Sequence, residues 1–354
     1  MLTEASQEPI ISVVIATKNK SEYLFATLLS FCSQTLPPEK YEIIVVCNGE
    51  TPEEMQLKSY IWELEWPFTL RDFSIEDASV SMARNKGISS SNGEYLVFVD
   101  DDCPVAKNFL EAHLKSHDEQ DNSYVVGYTR GMNANTLLSD LRTDMINSRT
   151  SQTFIKNDIA EDMDTINQRS DSFLMSRMAN TYYEEFKDKP GASDFPFWIL
   201  FIPRNVSINR RNIKKFDAGF KGWGMEDWEL GYRLCKSGVK ATINPLCINY
   251  HLNHRISPSQ SYSLLKNLVF FIRKHPEYPA FLSVRFNPRS IKNPTIIKQS
   301  LFGISLASFA KNCQIYKNQP PLARLLMWIF GLFTAYLHIL GELFKVITGT
   351  TITD

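Results

Sequence analysis

The sequence has no excess of either charge: its 354 residues include 38 basic and 39 acidic side chains, for a formal net charge of −1. Nucleic-acid-binding proteins usually carry a strong basic bias, so this balance argues against that class. The six cysteines are scattered without a C-x-x-C pair, which favours a reducing compartment over a disulfide framework. Residues 1–9 lack the basic and apolar regions of a signal peptide. These absences together predict a cytoplasmic protein that does not bind nucleic acid.

The composition is otherwise ordinary for a globular protein, with 44% hydrophobic and 22% charged residues, enough to fill a sizeable core. Short apolar runs that indicate strands alternate with segments of helical periodicity. This alternation predicts an α/β fold with a mostly parallel, Rossmann-like sheet flanked by helices. The predicted strands are residues 10–16, 42–46, 68–73, 95–99, 124–128 and 205–209, the last as a short strand or turn.

Residues 93–104 join an apolar strand to a cluster of acids. The unbroken apolar run at 95–99 is typical of a strand covered on both faces. Asp100, Asp101 and Asp102 follow at its carboxyl end, where ligands bind in open α/β sheets. Strand alternation would point Asp100 and Asp102 to one side and Asp101 to the other. Adjacent carboxylates repel one another, so the cluster predicts a Mg²⁺ or Mn²⁺ site completed by phosphate oxygens, with an acidic, solvated turn as the alternative.

A second informative stretch runs from residue 220 to 234. Gly222 and Gly224 allow a tight turn around Trp223, and Glu226 and Asp227 then begin a helix. Acidic residues at a helix start are also explained by the helix macrodipole alone. A glycine-tryptophan turn that delivers two adjacent carboxylates is more specialised than a helix cap requires, which favours a functional site.

Four motifs in order give the chain a family resemblance. They are Ile11-Ser-Val-Val-Ile-Ala-Thr-Lys-Asn19, then Ala83-Arg-Asn-Lys-Gly87 with Gly93-Glu94 and Asp100-Asp-Asp102, then Asn205-Val-Ser-Ile-Asn-Arg210, and finally Gly222-Trp-Gly-Met-Glu-Asp227. Over residues 10–254 the chain resembles family 2 glycosyltransferases with the GT-A fold. Its second half is also similar to β-galactosyltransferases, polypeptide N-acetylgalactosaminyltransferases and bacterial capsule polymerases.

The resemblance implies roles on the donor side of the site. Thr17 and Arg84 match positions near the base, ribose or diphosphate of the donor nucleotide. Asp100 and Asp102 match the Asp-x-Asp pair, in which Asp102 is the direct ligand of a divalent cation, Mn²⁺ or Mg²⁺. Asp100 and Asp101 are also expected to contribute to donor binding.

The resemblance implies further roles on the acceptor side. Asp227 matches the catalytic base, and Glu226 matches its partner at the acceptor. In relatives with this glycine-tryptophan turn, a histidine downstream also binds the metal, and His251 fits that place best, with His254 as the fallback.

One position departs from the family pattern. Family members usually have an aspartate at the end of the second strand, where it contacts the nucleobase, whereas this chain has Cys47. Cysteine is a weak hydrogen-bond donor and acceptor, so we expect base recognition to shift to backbone groups or to Asn48. Because the aspartate that contacts the nucleobase is missing, the resemblance does not by itself imply specificity for uridine.

The predicted function is metal-dependent, inverting transfer of a sugar from a nucleoside-diphosphate sugar, most readily a UDP-sugar, to a hydroxyl of a glycan or lipid-linked acceptor. Two alternatives are a sugar-nucleotide nucleotidyltransferase and an inactive sugar-binding scaffold. The first should carry a glycine-rich phosphate loop after the first strand, and residues 17–21 contain no glycine. The second is disfavoured because Asp102 and Asp227 are both present.

The predicted catalytic domain spans residues 1–255, with a nucleotide-binding half at 10–130, a helix-rich insertion at 133–190 and an acceptor-side half at 191–255. A helical region follows at 256–354. Its hydrophobic tail at 322–347 reaches the roughly 20 residues of a membrane span only if Glu342 and Lys345 are included. The tail is therefore expected to span the membrane, to lie in its interface, or to pack on the catalytic domain. We expect it to hold the enzyme at the cytoplasmic face of the cell membrane, near a lipid-linked acceptor.

Overall fold

The computed structural model describes residues 8–76, 78–118, 122–132, 142 and 197–252, with residues 263, 266–267, 270–271 and 273–275 beyond them. Most of the predicted insertion at 133–190, the tail at 322–347 and His254 lie outside the described residues. None of the helices in the described ranges is both long enough and apolar enough to cross a membrane.

The chain divides into two compact units. The first consists of Met1–Glu185 and Phe197–Asn267, and it holds the sheet and all the predicted site residues that the structure describes. The second consists of Phe186–Pro196 and Leu268–Asp354. Within the second unit, the ring of Phe271 packs on that of His275, with centroids 5.2 Å apart.

Seven described strands form one sheet in the order β3-β2-β1-β4-β6-β5-β7. Strands β1 to β4 are parallel, β6 is antiparallel to both of its neighbours, and β5 is parallel to β7. The predicted α/β fold with a mostly parallel sheet is confirmed, and β6 makes the sheet mixed. The strands are β1 Ile11–Thr17, β2 Tyr41–Asn48, β3 Thr69–Ile75, β4 Tyr95–Val99, β5 Ser123–Met132, β6 Asn205–Asn209 and β7 Lys240–Leu252.

The described helices connect these strands or follow them. They are α1 Ser21–Phe31, α2 Pro52–Glu63, α3 Val80–Ser90, α4 Phe109–Asp118 and α5 Glu226–Lys236. Ser79 caps α3, because its side chain accepts a hydrogen bond from the backbone N–H of Met82 at 3.4 Å. Gly87 lets α3 lie close to the sheet: a Cβ there would come within 2.3 Å of Val14 Cγ1. This close packing holds Arg84, one turn earlier on α3, near the sheet edge.

The core lies around the central strands. All eight residues of β2 are buried, and four of the five in β4 are buried, as expected for strands covered on both faces. Apolar residues of α1, including Leu24, Leu28 and Phe31, are fully shielded from solvent against this part of the sheet. This packed centre fixes where β1, β2 and β4 end, and these strands end at the same edge because they are parallel.

A buried hydrogen-bond network joins α4 to β6 and β7. His117 Nε2 and His113 Nδ1 each lie 2.8 Å from Ser207 Oγ, and His113 Nε2 lies 3.0 Å from Asn205 Oδ1. Asn205 Nδ2 then donates to Asn249 Oδ1 at 3.1 Å. An amide oxygen only accepts, so His113 carries its proton on Nε2, and Ser207 donates to His113 Nδ1 while accepting from His117. Burial lowers the pKa of His113 to about 3 and that of His117 to about 4, so both are neutral.

Candidate active site

The three aspartates lie in a turn that begins where β4 ends at Val99. Thr27, on α1, fixes this turn: its hydroxyl donates to the Asp101 carbonyl at 2.8 Å and accepts from the Cys103 N–H at 3.1 Å. Asp101 and Asp102 are 6% and 3% exposed. Two of the three carboxylates are therefore buried, unlike those of the acidic, solvated turn that was the alternative, and the side chain of Asp100 is 34% exposed.

Lys20, immediately before α1, pairs with two of these aspartates. Its Nζ lies 2.6 Å from Asp102 Oδ2 and 3.4 Å from Asp101 Oδ1. The expectation that Asp100 and Asp102 face the same way is therefore wrong, because Asp101 and Asp102 share this cation while Asp100 pairs elsewhere. Strand alternation stops at Val99, so it does not govern a turn. Burial by itself lowers the pKa of Lys20, but the carboxylates outweigh it and raise that pKa above its usual value.

The end of β7 lies against the same turn. The Leu252 N–H donates to the Asp102 carbonyl at 2.9 Å, and His251 Nε2 lies 3.8 Å from Asp102 Oδ2. Two ligands that each bind one metal ion at about 2.1 Å are at most about 4.2 Å apart, so one ion fits both atoms. The described residues contain no group of three His, Cys, Asp or Glu side chains arranged for a metal. Asp102 and His251 would thus supply two ligands, and phosphate and water oxygens the others.

Arg84 joins the aspartate turn to the first turn of α5. Its Nη2 donates to Asp100 Oδ1 at 3.1 Å, and its Nη1 donates to Glu226 Oε1 at 3.0 Å. The guanidinium also lies over the ring of Phe216, 5.5 Å from its centroid. Burial lowers the pKa of Arg84, but Asp100, Glu226 and Asp227 outweigh it and raise the pKa, so the side chain stays charged.

The glycine-tryptophan turn that precedes α5 has a left-handed backbone. Gly222, Gly224 and Met225 have φ values of 70°, 96° and 74°. Asn267 holds the turn, because its Nδ2 donates to the carbonyls of Gly224 at 2.8 Å and Lys221 at 3.0 Å. The predicted tight turn is confirmed, and it fixes the direction in which α5 starts.

Glu226 and Asp227 are the first two residues of α5. Glu226 Oε2 is buried and has no hydrogen-bond partner among the described residues. Asp227 Oδ1 accepts the Trp228 N–H at 2.8 Å, and the residue keeps partial contact with solvent. Burial raises the pKa of Asp227 to about 7, and the neighbouring Glu226 carboxylate adds to the shift, while the Trp228 N–H and Arg84 oppose it. A carboxylate with a pKa near neutrality suits a general base.

A buried lysine of α2, which no sequence motif marked, lies against the ends of β1 and β2. Lys58 is 1% exposed, forms an ion pair with Glu50, and lies 3.5 Å from Thr17 Oγ1 and 4.0 Å from Cys47 Sγ. Burial lowers its pKa. The position at which the family has an aspartate is therefore lined here by a thiol and an ammonium.

Asn48 lies beside this group, but its side chain has other partners. Its Nδ2 donates to the Ala78 carbonyl at 2.9 Å, and its Oδ1 accepts the Ala78 N–H at 2.8 Å. Both ends of the amide thus hold the loop before α3. The role of Asn48 in base recognition stays a prediction, as does that of Thr17.

The site carries an excess of negative charge. Five carboxylates line the described part of the site, and Lys20 and Arg84 form ion pairs with four of them, which are Asp100, Asp101, Asp102 and Glu226, while Asp227 is the fifth. Burial and the adjacent Asp102 and Asp100 raise the pKa of Asp101 to about 6, although Lys20 and Thr17 oppose this. A divalent cation between these groups would offset the imbalance.

Comparisons with known proteins identify relatives of this chain by sequence. Residues 12–181 match the model of glycosyl transferase family 2. The chain is 24% identical over 287 residues to the uncharacterized glycosyltransferase YfnE of Bacillus subtilis, a match covering 75% of this chain and 70% of that protein. It is 28% identical over 283 residues to the validoxylamine A glucosyltransferase of Streptomyces hygroscopicus subsp. limoneus, covering 77% of this chain and 58% of the relative.

A solved structure supports the fold. The crystal structure of GalNAc-T7 with UDP, GalNAc and Mn²⁺ aligns with a TM-score of 0.52 and 16% identity, covering 87% of this chain and 54% of the other. The predicted GT-A type of α/β architecture is thereby confirmed. The match to the family model over residues 12–181 and the sequence relatives, rather than this likeness of fold, show that the enzyme is a glycosyltransferase.

Proposed function

We propose that the enzyme transfers a sugar from a nucleoside-diphosphate donor to a hydroxyl of a glycan or lipid-linked acceptor, with inversion at the anomeric carbon. One observation carries this proposal: Arg84 bonds to Asp100 and to Glu226, so the aspartate turn and the acceptor-side helix form a single site. The two stretches lie far apart in the sequence, and a merely structural helix cap would not require their pairing.

On the donor side, Asp102 and His251 are proposed to hold Mn²⁺ or Mg²⁺. An imidazole ligand favours Mn²⁺, since Mg²⁺ prefers oxygen ligands. When bound, the cation would stabilise the negative charge that develops on the leaving diphosphate. Asp100 stays fixed by Arg84, and Asp101 by Lys20 and Thr17, so these two carboxylates shape the donor side. The structural neighbour GalNAc-T7, which was crystallised with UDP, GalNAc and Mn²⁺, supports this choice by analogy.

On the acceptor side, Asp227 is proposed to remove the proton of the attacking hydroxyl. The hydroxyl oxygen forms the new bond to the anomeric carbon as the bond to the diphosphate oxygen breaks, and the proton goes to the Asp227 carboxylate. Glu226 Oε2, which is buried and unpartnered among the described residues, is suited to accept a hydrogen bond from the acceptor and orient it. Trp223, within the glycine-tryptophan turn, is 46% exposed, and its flat apolar surface is suited to pack against a sugar ring.

The proposal is tested by incubating the full chain with a panel of nucleotide sugars and candidate glycan or lipid-linked acceptors, with Mn²⁺, with Mg²⁺ and with EDTA. We expect acceptor-dependent release of a nucleoside diphosphate that EDTA abolishes. Asp102→Ala should lose the metal-dependent part of nucleoside-diphosphate binding in calorimetric titrations. Unchanged metal-dependent affinity in Asp102→Ala would refute the metal assignment.

We also propose that residues 319–354 bring the enzyme to the cytoplasmic face of a membrane. The support is the apolar sequence of the tail, and a lipid-linked acceptor would explain its presence. Deleting residues 319–354 should abolish co-sedimentation with liposomes that contain anionic lipid. Failure of the full chain to bind such liposomes, while it remains soluble without detergent, would contradict this part of the proposal.

A further inference from the structure

The ammonium of Lys20 is bound to Asp102 Oδ2, the carboxylate oxygen that would also bind the proposed metal ion. Asp102 Oδ2 is 2.6 Å from Lys20 Nζ and 3.8 Å from His251 Nε2, so the ammonium and the imidazole approach the same atom. The other oxygen, Oδ1, accepts the thiol hydrogen of Cys103 at 3.4 Å. An ion that used Oδ2 and His251 together would therefore come directly against the positive charge of Lys20.

An ammonium and a divalent cation do not share one carboxylate oxygen without strong repulsion. Two like charges about 4 Å apart repel each other strongly in a site with little solvent, and the double charge of the cation doubles that repulsion. Asp102 has little solvent to screen it, since its side chain is only 4% exposed. Lys20 is 29% exposed and is carried by a flexible four-carbon chain, so it is the partner that has room to move.

We propose that Lys20 is a resident counter-ion for Asp102, that a divalent cation must displace its ammonium from Oδ2, and that the displaced ammonium then binds the diphosphate of the donor. A lysine ammonium is a common phosphate ligand. In the absence of donor, Lys20 stays paired with the buried Asp101 and Asp102. When the donor is bound, both the metal ion and the Lys20 ammonium contact its phosphates. This inference rests on the proposed function, which supplies the cation and the diphosphate.

The test uses Lys20→Met, which keeps the length of the side chain and removes its charge. Binding of Mn²⁺ alone to the full, metal-free chain is followed by the electron paramagnetic resonance signal of free Mn²⁺. We expect Lys20→Met to bind Mn²⁺ at least about tenfold more tightly than the wild type, and to bind UDP at saturating Mn²⁺ about tenfold more weakly, the scale of one charge-assisted hydrogen bond. A purely structural role for Lys20 would not move the two affinities in opposite directions.

Two control variants keep the result interpretable. Lys20→Arg retains the charge and should keep Mn²⁺ binding weak, and Lys18→Met removes an exposed lysine of the same loop and should change neither affinity. Thermal unfolding identifies a variant that has lost its fold, in which case Lys20→Gln replaces Lys20→Met.

The outcomes separate this inference from the proposed function. If Mn²⁺ still promotes UDP binding to the wild type but Lys20→Met shows no gain in affinity for Mn²⁺ alone, the displacement is overturned and the metal site stands. If neither protein binds Mn²⁺ with or without UDP, the metal-dependent part of the proposed function is wrong and the displacement falls with it.

Discussion

Replacing Arg84 with methionine should strongly destabilise the metal-free protein. Arg84 is 8% exposed and is the partner of Glu226 Oε1, while Glu226 Oε2 already has no partner among the described residues. The variant would leave a buried carboxylate uncompensated, and breaking a buried ion pair costs about 3–5 kcal/mol. The pair with Asp100 adds little, because that side chain is 34% exposed and water screens it.

The loss should be visible as a lower melting temperature. For a domain of this size, 1 kcal/mol shifts the melting temperature by about 2–4 °C, so Arg84→Met should melt roughly 6–20 °C below the wild type in EDTA. Adding Glu226→Gln should recover most of the loss, because the double variant no longer buries an unpaired charge.

Arg71→Met is a matched control for this experiment. Arg71 also pairs with a buried carboxylate, that of Glu42, at 3.0 Å, but Glu42 keeps hydrogen bonds from Ser12 and Asn92. Arg71→Met should therefore lose less of the free energy of unfolding than Arg84→Met, about 1 kcal/mol. If the melting temperature of Arg84→Met falls no further than that of Arg71→Met, or does not recover when Glu226→Gln is added, the pair of Arg84 and Glu226 does not stabilise the fold as predicted.

Three further predictions concern the compact unit that holds the sheet and the site. The folded-state pKa of Asp227 is raised to about 7 from 3.8, so the metal-free protein should lose stability as pH rises from about 4 to about 7, and Asp227→Asn should flatten that slope in thermal unfolding. Asn267→Ala should lower kcat while leaving Mn²⁺ affinity unchanged, because Asn267 holds the turn before α5; equal kcat would contradict this positioning role. Ser207→Ala should cost about 2 kcal/mol or more, since it leaves two buried imidazole nitrogens unpaired, whereas the exposed Ser59→Ala should cost almost nothing.

Much of the fold follows from local sequence, because the central strands are apolar and bounded by polar turns. Strand β7, Lys240–Leu252, was not predicted. Its sequence contains Pro245 and alternates polar with apolar residues, so it has no apolar run of the kind that marks β4. Its pairing with β5 is a tertiary contact, and only the resemblance pointed to His251 at its end.

The carboxylates of the site were recognisable from their motifs, but their partners were not. Lys20 reaches Asp102 across 82 residues of sequence, and Asn267 reaches Gly224 across 43. Such pairs leave no periodic signal in the chain. The alternation rule also misplaced Asp101, because it applies within a strand and the strand ends two residues earlier.

We propose that a metal-dependent donor site and a separate carboxylate base act together, and the decisive measurement is the turnover of Asp227→Asn. The variant keeps the size of the side chain but cannot take up a proton. At saturating donor and acceptor with Mn²⁺, we predict a loss in transfer rate of at least ~10²-fold, with Mn²⁺-dependent UDP binding retained, because the donor side is held by other residues. Glu226→Gln should instead act mainly on the acceptor KM. Near-normal turnover in Asp227→Asn would contradict the account.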